Sequence, residues 1–525
     1  MKLVVILLYI LSFFFANNLI AQQNARPNIV IILTDDLGFS DIGCFGSEIS
    51  TPNLDKLAKK GVTMTNFYNC ARCCPSRASL LTGLYPHQAG VGDMTDNKGY
   101  PPYQGYLNSN CITIAQALKQ AGYYTITSGK WHVGMDSSAW ACKRGFDKSF
   151  TMMNNGSSYY TNEPLYNDGK TITFMKDCKE IKREDTTYYL TKYITDFAVK
   201  AIEEQKSSGK PFFLYVTYTA PHWPLQAMQE DIKKYKGKYR KGWDAIREER
   251  YKKQIANGII KPTWKLSARY EKVLNWQSLS ETEKENWDAR MAIYAAMVDR
   301  MDKGVGEIVE ALKKTGKEEN TIILFLSDNG GSADEVQKLK TVIKKNGQPG
   351  SAASIDSYDP SWGNVSNTPF RLFKKNMHEG GISTPFIAYY PGFAKAGTIN
   401  NSTAHIIDIM PTCLELAGAK YPVYYNENKL TPLEGISLAG IIKSGAGIGN
   451  DTLYWEHEGN KAIRAGKWKL VYEAEYGNWE LYDMEKDRTE TTNLSASYPA
   501  LVTKLLNAYQ KWEKKVGVVD WAKIK

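Results

Sequence analysis

The 525-residue sequence predicts an α/β fold with a mixed, mostly parallel sheet flanked by helices, followed by a small C-terminal α+β domain with an antiparallel sheet. Short β-branched runs bounded by polar and glycine residues alternate with helical patterns as far as Gly418, which is the texture of buried parallel strands joined by crossovers. From Leu430 the texture changes to short aromatic runs: Leu453-Tyr454-Trp455, Trp468 to Tyr472 and Trp479 to Asp483. These read as an antiparallel sheet, with an amphipathic helix from Pro499 to Lys514 packed on it. Length alone allows two to four domains. The change of texture divides the chain into 22–428 and 429–525, after a leader over 1–21.

The leader is read from Lys2, the apolar run Leu3 to Phe15 and the small-residue exit Leu19-Ile20-Ala21 before Gln22, the pattern of a secretory signal peptide. Its run is shorter than the roughly 20 residues that span a bilayer, so export to periplasm or medium is expected, with no membrane contact after cleavage. The first strand, Asn28 to Thr34, ends in Asp35-Asp36. Next comes Cys73-Cys74-Pro75-Ser76-Arg77, continued by Ala78-Ser79-Leu80-Leu81-Thr82-Gly83, with proline where a helix starts. The strand Tyr123 to Ser128 runs into Gly129-Lys130-Trp131-His132, and Pro211 to Tyr218 precedes Ala220-Pro221-His222-Trp223-Pro224.

The basic stretch Asp231 to Lys272 has a helical period with acidic residues interspersed. It is read as a solvated helical insertion and not as a nucleic-acid site. A long helix from Ala289 to Lys314 should cover one sheet face ahead of the strand Thr321 to Ser327, which ends in Asp328-Asn329. Phe373-Lys374-Lys375 and Glu379-Gly380-Gly381 then precede a further apolar run.

Asp35, Asp36, Asp328 and Asn329 all offer oxygen, which selects a hard cation, calcium before magnesium, over zinc or copper. Ligands of open α/β sheets collect at the carboxyl ends of strands. Lone lysines on loops are usually solvated and lone histidines structural. Here Lys130, His132, His222 and Lys374 stand on such loops beside the acidic pairs, which argues for one site. His405 and Asp408, three residues apart, match the helical periodicity around them and are read as structural.

The pentapeptide at 73–77 with its Leu-Leu-Thr-Gly tail resembles the signature of the type I sulfatases, and the order of the other motifs agrees from Arg26 to about Leu494. The resemblance is nearest to the arylsulfatase branch and implies an alkaline-phosphatase-like catalytic domain. It implies that a maturation enzyme oxidises Cys73 to formylglycine, and that Asp35, Asp36, Asp328 and Asn329 bind calcium with the modified Cys73. Arg77 would steady the hydrate and the ion, while Lys130 and Lys374 bind sulfate oxygens. His222 would protonate the departing alcohol, His132 would remove the proton that frees sulfate, and Asp328 would help activate the attacking hydroxyl. An aldehyde hydrate offers two hydroxyls where serine offers one, so the second can expel the sulfate that the first has captured. Cys73, two residues before Pro75, fits the signature where Cys74 does not; Lys374, five before Glu379, is favoured over Lys375.

Converting one of eight cysteines leaves seven, so a complete disulfide framework is not expected, while one or two bridges are compatible with the spacing. The net charge of +10, or +9 without Lys2, suits an anionic substrate. The expected substrate is a sulfated carbohydrate, such as sulfated galactose or N-acetylhexosamine, or an aryl sulfate. Specificity is expected from variable loops: 92–104, 332–367 with Tyr358 and Trp362 as sugar platforms, and Glu456-His457. Two other readings are a phosphodiesterase or phosphonate monoester hydrolase of the same superfamily, and a non-catalytic sulfated-glycan binder with Cys73 unmodified.

Overall fold

The computed structural model describes residues 26–168, 171–182, 188–447 and 449–524, so the segment read as a leader lies outside the described residues. Among those residues no helix is long and apolar enough to cross a membrane. Eleven strands form the main sheet: β1 (Asn28–Asp35), β2 (Val62–Tyr68), β3 (Tyr124–Lys130), β4 (Lys148–Met152), β5 (Phe174–Lys176), β6 (Lys179–Ile181), β7 (Phe212–Pro221), β8 (Thr321–Ser327), β9 (Ser383–Tyr389), β10 (Thr398–Asn400) and β11 (Ala404–His405). Their order is β10-β2-β9-β8-β1-β7-β3-β4-β5-β6, with β11 also on β2. The run β8-β1-β7-β3-β4 is parallel, and β9 is antiparallel to both its neighbours.

That topology decides where chemistry can gather. Thr34 pairs with Ser327, Leu33 with Thr217, and Thr217 with Gly129, so four parallel strands end level at one edge. Because β9 runs the other way, the segment entering it reaches that same edge. Gly129 is required there: at φ 119°, a Cβ would stand 1.9 Å from the Thr217 carbonyl oxygen.

Every residue of β1 is buried, with Val30 and Ile32 on one face and Ile29, Ile31 and Leu33 on the other. Period-two alternation with both faces covered is the signature of an internal parallel strand. Helices Leu190–Glu204 and Glu281–Lys314 cover the first face, and Cys73–Thr82 and Ile114–Gln120 the second. The long helix begins at Glu281, ahead of the apolar pattern that starts at Ala289, because Ser280 and Glu283 close a capping box before polar opening turns.

The basic insertion is helical, at Gln229–Lys233 and Trp243–Ala256, yet it is not simply solvated. Trp243, Arg247 and Arg250 are buried, and Arg250 pairs with Asp41 at 2.6 Å and Glu48 at 2.8 Å. A helical period was readable there; the distant carboxylates that bury an arginine were not. His405 and Asp408 close a capping box on the turn Ile406–Asp408.

Beyond a short ribbon of β12 (Tyr424–Tyr425) and β13 (Asn428–Lys429), an antiparallel meander is built from β14 (Thr452–His457), β15 (Asn460–Ala465), β16 (Trp468–Glu473) and β17 (Asn478–Asp483). The helix Pro499–Val516 seats Leu505, Tyr509 and Trp512 on it. Among the described residues one disulfide forms, Cys142–Cys178.

Candidate active site

The level strand ends bring the sequence-predicted residues into one buried cluster. Asp35 Oδ2 accepts from Lys130 Nζ at 2.6 Å. Asp36 Oδ1 accepts from Asn329 Nδ2 at 2.7 Å and lies 2.7 Å from Lys374 Nζ. Asp328 Oδ2 accepts from Arg77 twice, Nε at 3.0 Å and Nη2 at 2.7 Å, while Arg77 Nη1 donates to the Lys130 carbonyl at 2.9 Å. Lys374, not Lys375, is the lysine that points into the cluster. His222 stands between two cis X-Pro bonds; its Nδ1 donates to the Trp223 carbonyl at 2.5 Å, leaving Nε2 toward the site, 3.7 Å from Asp36 Oδ2.

Cys73 is the first residue of its helix, with Sγ 3.9 Å from Asn155 Oδ1. Burial raises both neighbouring thiols. At Cys73 a hydrogen bond with Cys74 and the Lys130 ammonium outweigh burial and hold the thiol well below its ordinary range, whereas Cys74 is pushed well above it. The helix N-terminus acts on Cys73 in the same sense. His132, at φ 52°, presents a ring atom within 4.8 Å of both thiols. Neither of its ring nitrogens has a hydrogen-bond partner, and burial, assisted by Lys130, brings its pKa down to about 4. Its imidazole is therefore neutral at pH 7 and free to accept a proton.

The oxygen cluster fits a divalent cation. Burial and the adjacent Asp35 push Asp328 up to about 8, against Arg77, whereas at Asp35 the Lys130 ammonium helps to outweigh burial and bring the carboxyl down, the split of two carboxylates crowded into one site. Asp35 Oδ1 and Asn329 Oδ1 are buried with no hydrogen-bond partner. Orphaned buried oxygens call for an explanation, and an all-oxygen set suits a hard ion.

Several residues at the mouth carried no sequence signal. Asn155 donates to Tyr166 Oη at 3.1 Å, and Trp223 Nε1 donates to Asp334 at 3.1 Å. Arg72 lies within electrostatic reach of Cys73 and Asp334; only its place beside the cysteine motif pointed to it. Other expectations are corrected. Tyr358 is buried, stacked on Tyr294 at 4.5 Å, and Trp362 is buried with its Nε1 on the Trp287 carbonyl, so neither is a sugar platform. Glu456 is buried against His87 at 2.8 Å and Tyr103 at 3.1 Å, which removes its carboxylate from any leaving group.

The family model named Sulfatase matches residues 27–419. This chain belongs to the sulfatase family. A second model, the C-terminal region of N-sulphoglucosamine sulphohydrolase, matches residues 369–515 of the sulfatase. An uncharacterised sulfatase of Schizosaccharomyces pombe is 34% identical over 95% of each chain. The arylsulfatase of Klebsiella aerogenes is 34% identical over 80% of this chain and 93% of its own. Among solved structures, Ps i-CgsB in complex with k-i-k-neocarrahexaose has a TM-score of 0.68 at 28% identity, covering 93% of both chains. BT4656 in complex with its substrate D-glucosamine-2-N,6-O-disulfate shares the fold, with a TM-score of 0.65 at 22% identity over 94% of this chain and 99% of that one. The fold is the alkaline-phosphatase-like one, and the protein is an enzyme that hydrolyses sulfate esters of glycans or aryl groups.

Proposed function

We propose that this sulfatase is an exported, calcium-dependent enzyme that removes sulfate from a glycan through a formylglycine made from Cys73. One observation carries the reading. Two buried ammonium groups, Lys130 and Lys374, flank the oxygen cluster from opposite carboxylates, next to a cysteine at a helix N-terminus.

Asp35, Asp36, Asp328, Asn329 and residue 73 would hold the calcium ion, which supplies positive charge that acidifies a hydroxyl. An aldehyde hydrate at residue 73 would supply the attacking hydroxyl and the second one needed for release. Arg77, fixed on Asp328 by two hydrogen bonds, keeps that carboxylate oriented. Asp328, ionised when it holds the ion and kept in place by Arg77, is placed to take a proton from the attacking hydroxyl. Lys130 and Lys374 hold the sulfate oxygens as negative charge builds on them. His222 would give the alcohol its proton from Nε2 as an imidazolium, since Nδ1 already donates to the Trp223 carbonyl; burial lowers its pKa and the facing Asp36 carboxylate works against that shift. His132, neutral and unpartnered, takes the proton whose loss expels sulfate.

The reading further assigns 22–428 to catalysis and 429–525 to a smaller domain, and requires a formylglycine-generating partner in the host. A glycan substrate is supported by the neocarrahexaose bound to Ps i-CgsB. The test is to offer matured protein sulfated galactose, sulfated N-acetylhexosamine and phosphodiesters at equal concentration, and to measure free sulfate from the first two and the alcohol freed from the phosphodiesters. Release of sulfate at least about a hundredfold faster than phosphodiester cleavage is expected, roughly 2.7 kcal/mol of transition-state preference; faster phosphodiester cleavage overturns the proposal in favour of a phosphodiesterase.

A further inference from the structure

Beside Cys73 lies a group of charged residues that neither the cation cluster nor the sulfate-binding lysines use. Arg72 lies within electrostatic reach of Cys73, Glu458 and Asp334, and its Nε donates to Met94 Sδ at 3.2 Å. Lys375 has its Nζ 3.8 Å from Glu458 Oε2 and its backbone N–H on the Ala71 carbonyl at 2.8 Å. Behind Glu458, His457 Nε2 is 3.5 Å from Glu458 Oε1, and His457 Nδ1 is 4.0 Å from Asp93 Oδ1. Asp93 and His457 are 4% and 0% exposed, while Glu458, Lys375 and Arg72 reach solvent.

These groups are close without being satisfied. Asp93 Oδ1 and His457 Nε2 are buried and have no hydrogen-bond partner, and separations of 3.5 to 4.0 Å are too long for good hydrogen bonds. Atoms of Asp93, His457 and Glu458 lie within 4.8 Å of one another, as metal ligands would. A cation is nevertheless the wrong occupant, because Lys98 at 3.6 Å from Asp93, Lys375 and Arg72 already bring positive charge to these carboxylates. What fits against the solvent-reaching Arg72, Lys375 and Glu458, two donors beside an acceptor, is a neutral group that both donates and accepts, and a hydroxyl does so on one atom.

We propose that Arg72, Lys375 and Glu458, backed by the buried His457 and Asp93, form the leaving-group subsite, and that it takes a sugar through neighbouring hydroxyls in preference to an aryl ring. The inference rests on the sulfatase reading of the Cys73 pocket. Glu458 accepts from the hydroxyls while Arg72 and Lys375 donate to them, and His457 with Asp93 behind it positions Glu458. An aryl ring seated in the same place covers these groups without pairing them, and a site built for hydrogen bonds rejects a ligand that lacks them.

The test compares kcat/KM for 4-nitrophenyl sulfate with kcat/KM for a panel of monosulfated galactoses and N-acetylhexosamines, using matured wild type, Glu458→Gln and Lys375→Met. For the best sugar sulfate, each variant is expected to lose about 10- to 150-fold, chiefly through KM, as for one hydrogen bond to a charged group. The ratio of sugar to aryl kcat/KM is expected to fall at least about tenfold, since the aryl ring makes no such bond. Should Glu458→Gln fail to fold by circular dichroism, Lys375→Met, on the exposed rim, carries the same comparison. Equal losses on both substrate types, or no loss in either variant, overturn the subsite. Wild type that turns over aryl sulfate alone overturns the subsite and leaves the sulfatase reading standing; matured wild type that releases sulfate from nothing offered overturns both.

Discussion

Lys469→Met probes how the C-terminal sheet holds the segment that carries Lys374. Lys469 Nζ sits between Glu379 Oε1 at 2.9 Å and Glu490 Oε1 at 2.7 Å, and all three side chains are fully buried. Glu379 Oε2 also accepts from Arg488 Nε at 2.8 Å, while Glu490 Oε2 accepts the Glu379 N–H at 2.8 Å. Burial alone would raise Glu379; Lys469 first, then Arg488, bring it to about 2 instead. Methionine leaves Glu490 without that ammonium, and removing one partner of a buried pair costs about 3–5 kcal/mol. With an unfolding entropy of about 2.1 cal/mol/K per residue over roughly 500 residues, that lowers Tm by about 3–5 °C if the chain melts as one unit.

The pH dependence has a definite sign. A depressed carboxylate contributes stability that is present above its ordinary value near 4.5 and lost as pH falls through about 2. Wild type therefore keeps this contribution between pH 5 and 8. In Lys469→Met the carboxylates hold protons more readily, so the variant regains stability on going from pH 8 to pH 5 and its deficit narrows. Adding Glu490→Gln removes the uncompensated charge and is expected to recover at least about half of the lost Tm. Thermal melts at both pH values decide it: a Tm for Lys469→Met within about 1 °C of wild type at pH 8 refutes the clamp, given the 3–5 kcal/mol expected.

Cys73→Ser is expected to release at most one alcohol per protein and then stop, with steady turnover down at least about a thousandfold, because a serine sulfate has no second hydroxyl to expel it; a burst assay with 4-nitrophenyl sulfate reads this. Lys374→Ala is expected to lower kcat/KM by about 10²–10³ on every sulfate ester, as for other preorganised charges at a developing anion, measured by sulfate release. Chelation with EDTA is expected to abolish activity and lower Tm, and calcium at a hundred times its Kd to restore about 2.7 kcal/mol; zinc restoring both as well as calcium would contradict the all-oxygen site.

The sheet and its strand ends were legible because β1, β7 and β8 are uninterrupted apolar runs that stop at polar residues with oxygen or imidazole side chains. The choice of Lys374 over Lys375 came from counting five residues back from Glu379 in the family's motif, and the structure shows a tight turn there, in which Gly380 and Gly381 cannot carry a Cβ without striking the Arg371 and Asn376 carbonyls. What escaped were residues defined by distant partners. Tyr358 and Trp362 read as exposed aromatics in a glycine-rich loop, but Tyr294 and Trp287 of the long helix bury them. Arg250 read as surface charge until Asp41 and Glu48 closed on it. Asn155, Asp334 and Glu458 reach the mouth from three separate loops, and no local period or spacing in a sequence reports such a meeting.

The central claim, that Cys73 becomes the nucleophile, is tested most directly by the mass of the tryptic peptide running from Cys73 to Arg77 in protein made by its own host. Replacing sulfur and two hydrogens by oxygen predicts a peptide lighter by about 18 Da at that residue, with Cys74 still alkylatable as a free thiol. An unmodified Cys73 in that preparation would contradict the account and leave a protein that binds sulfate esters without turning them over.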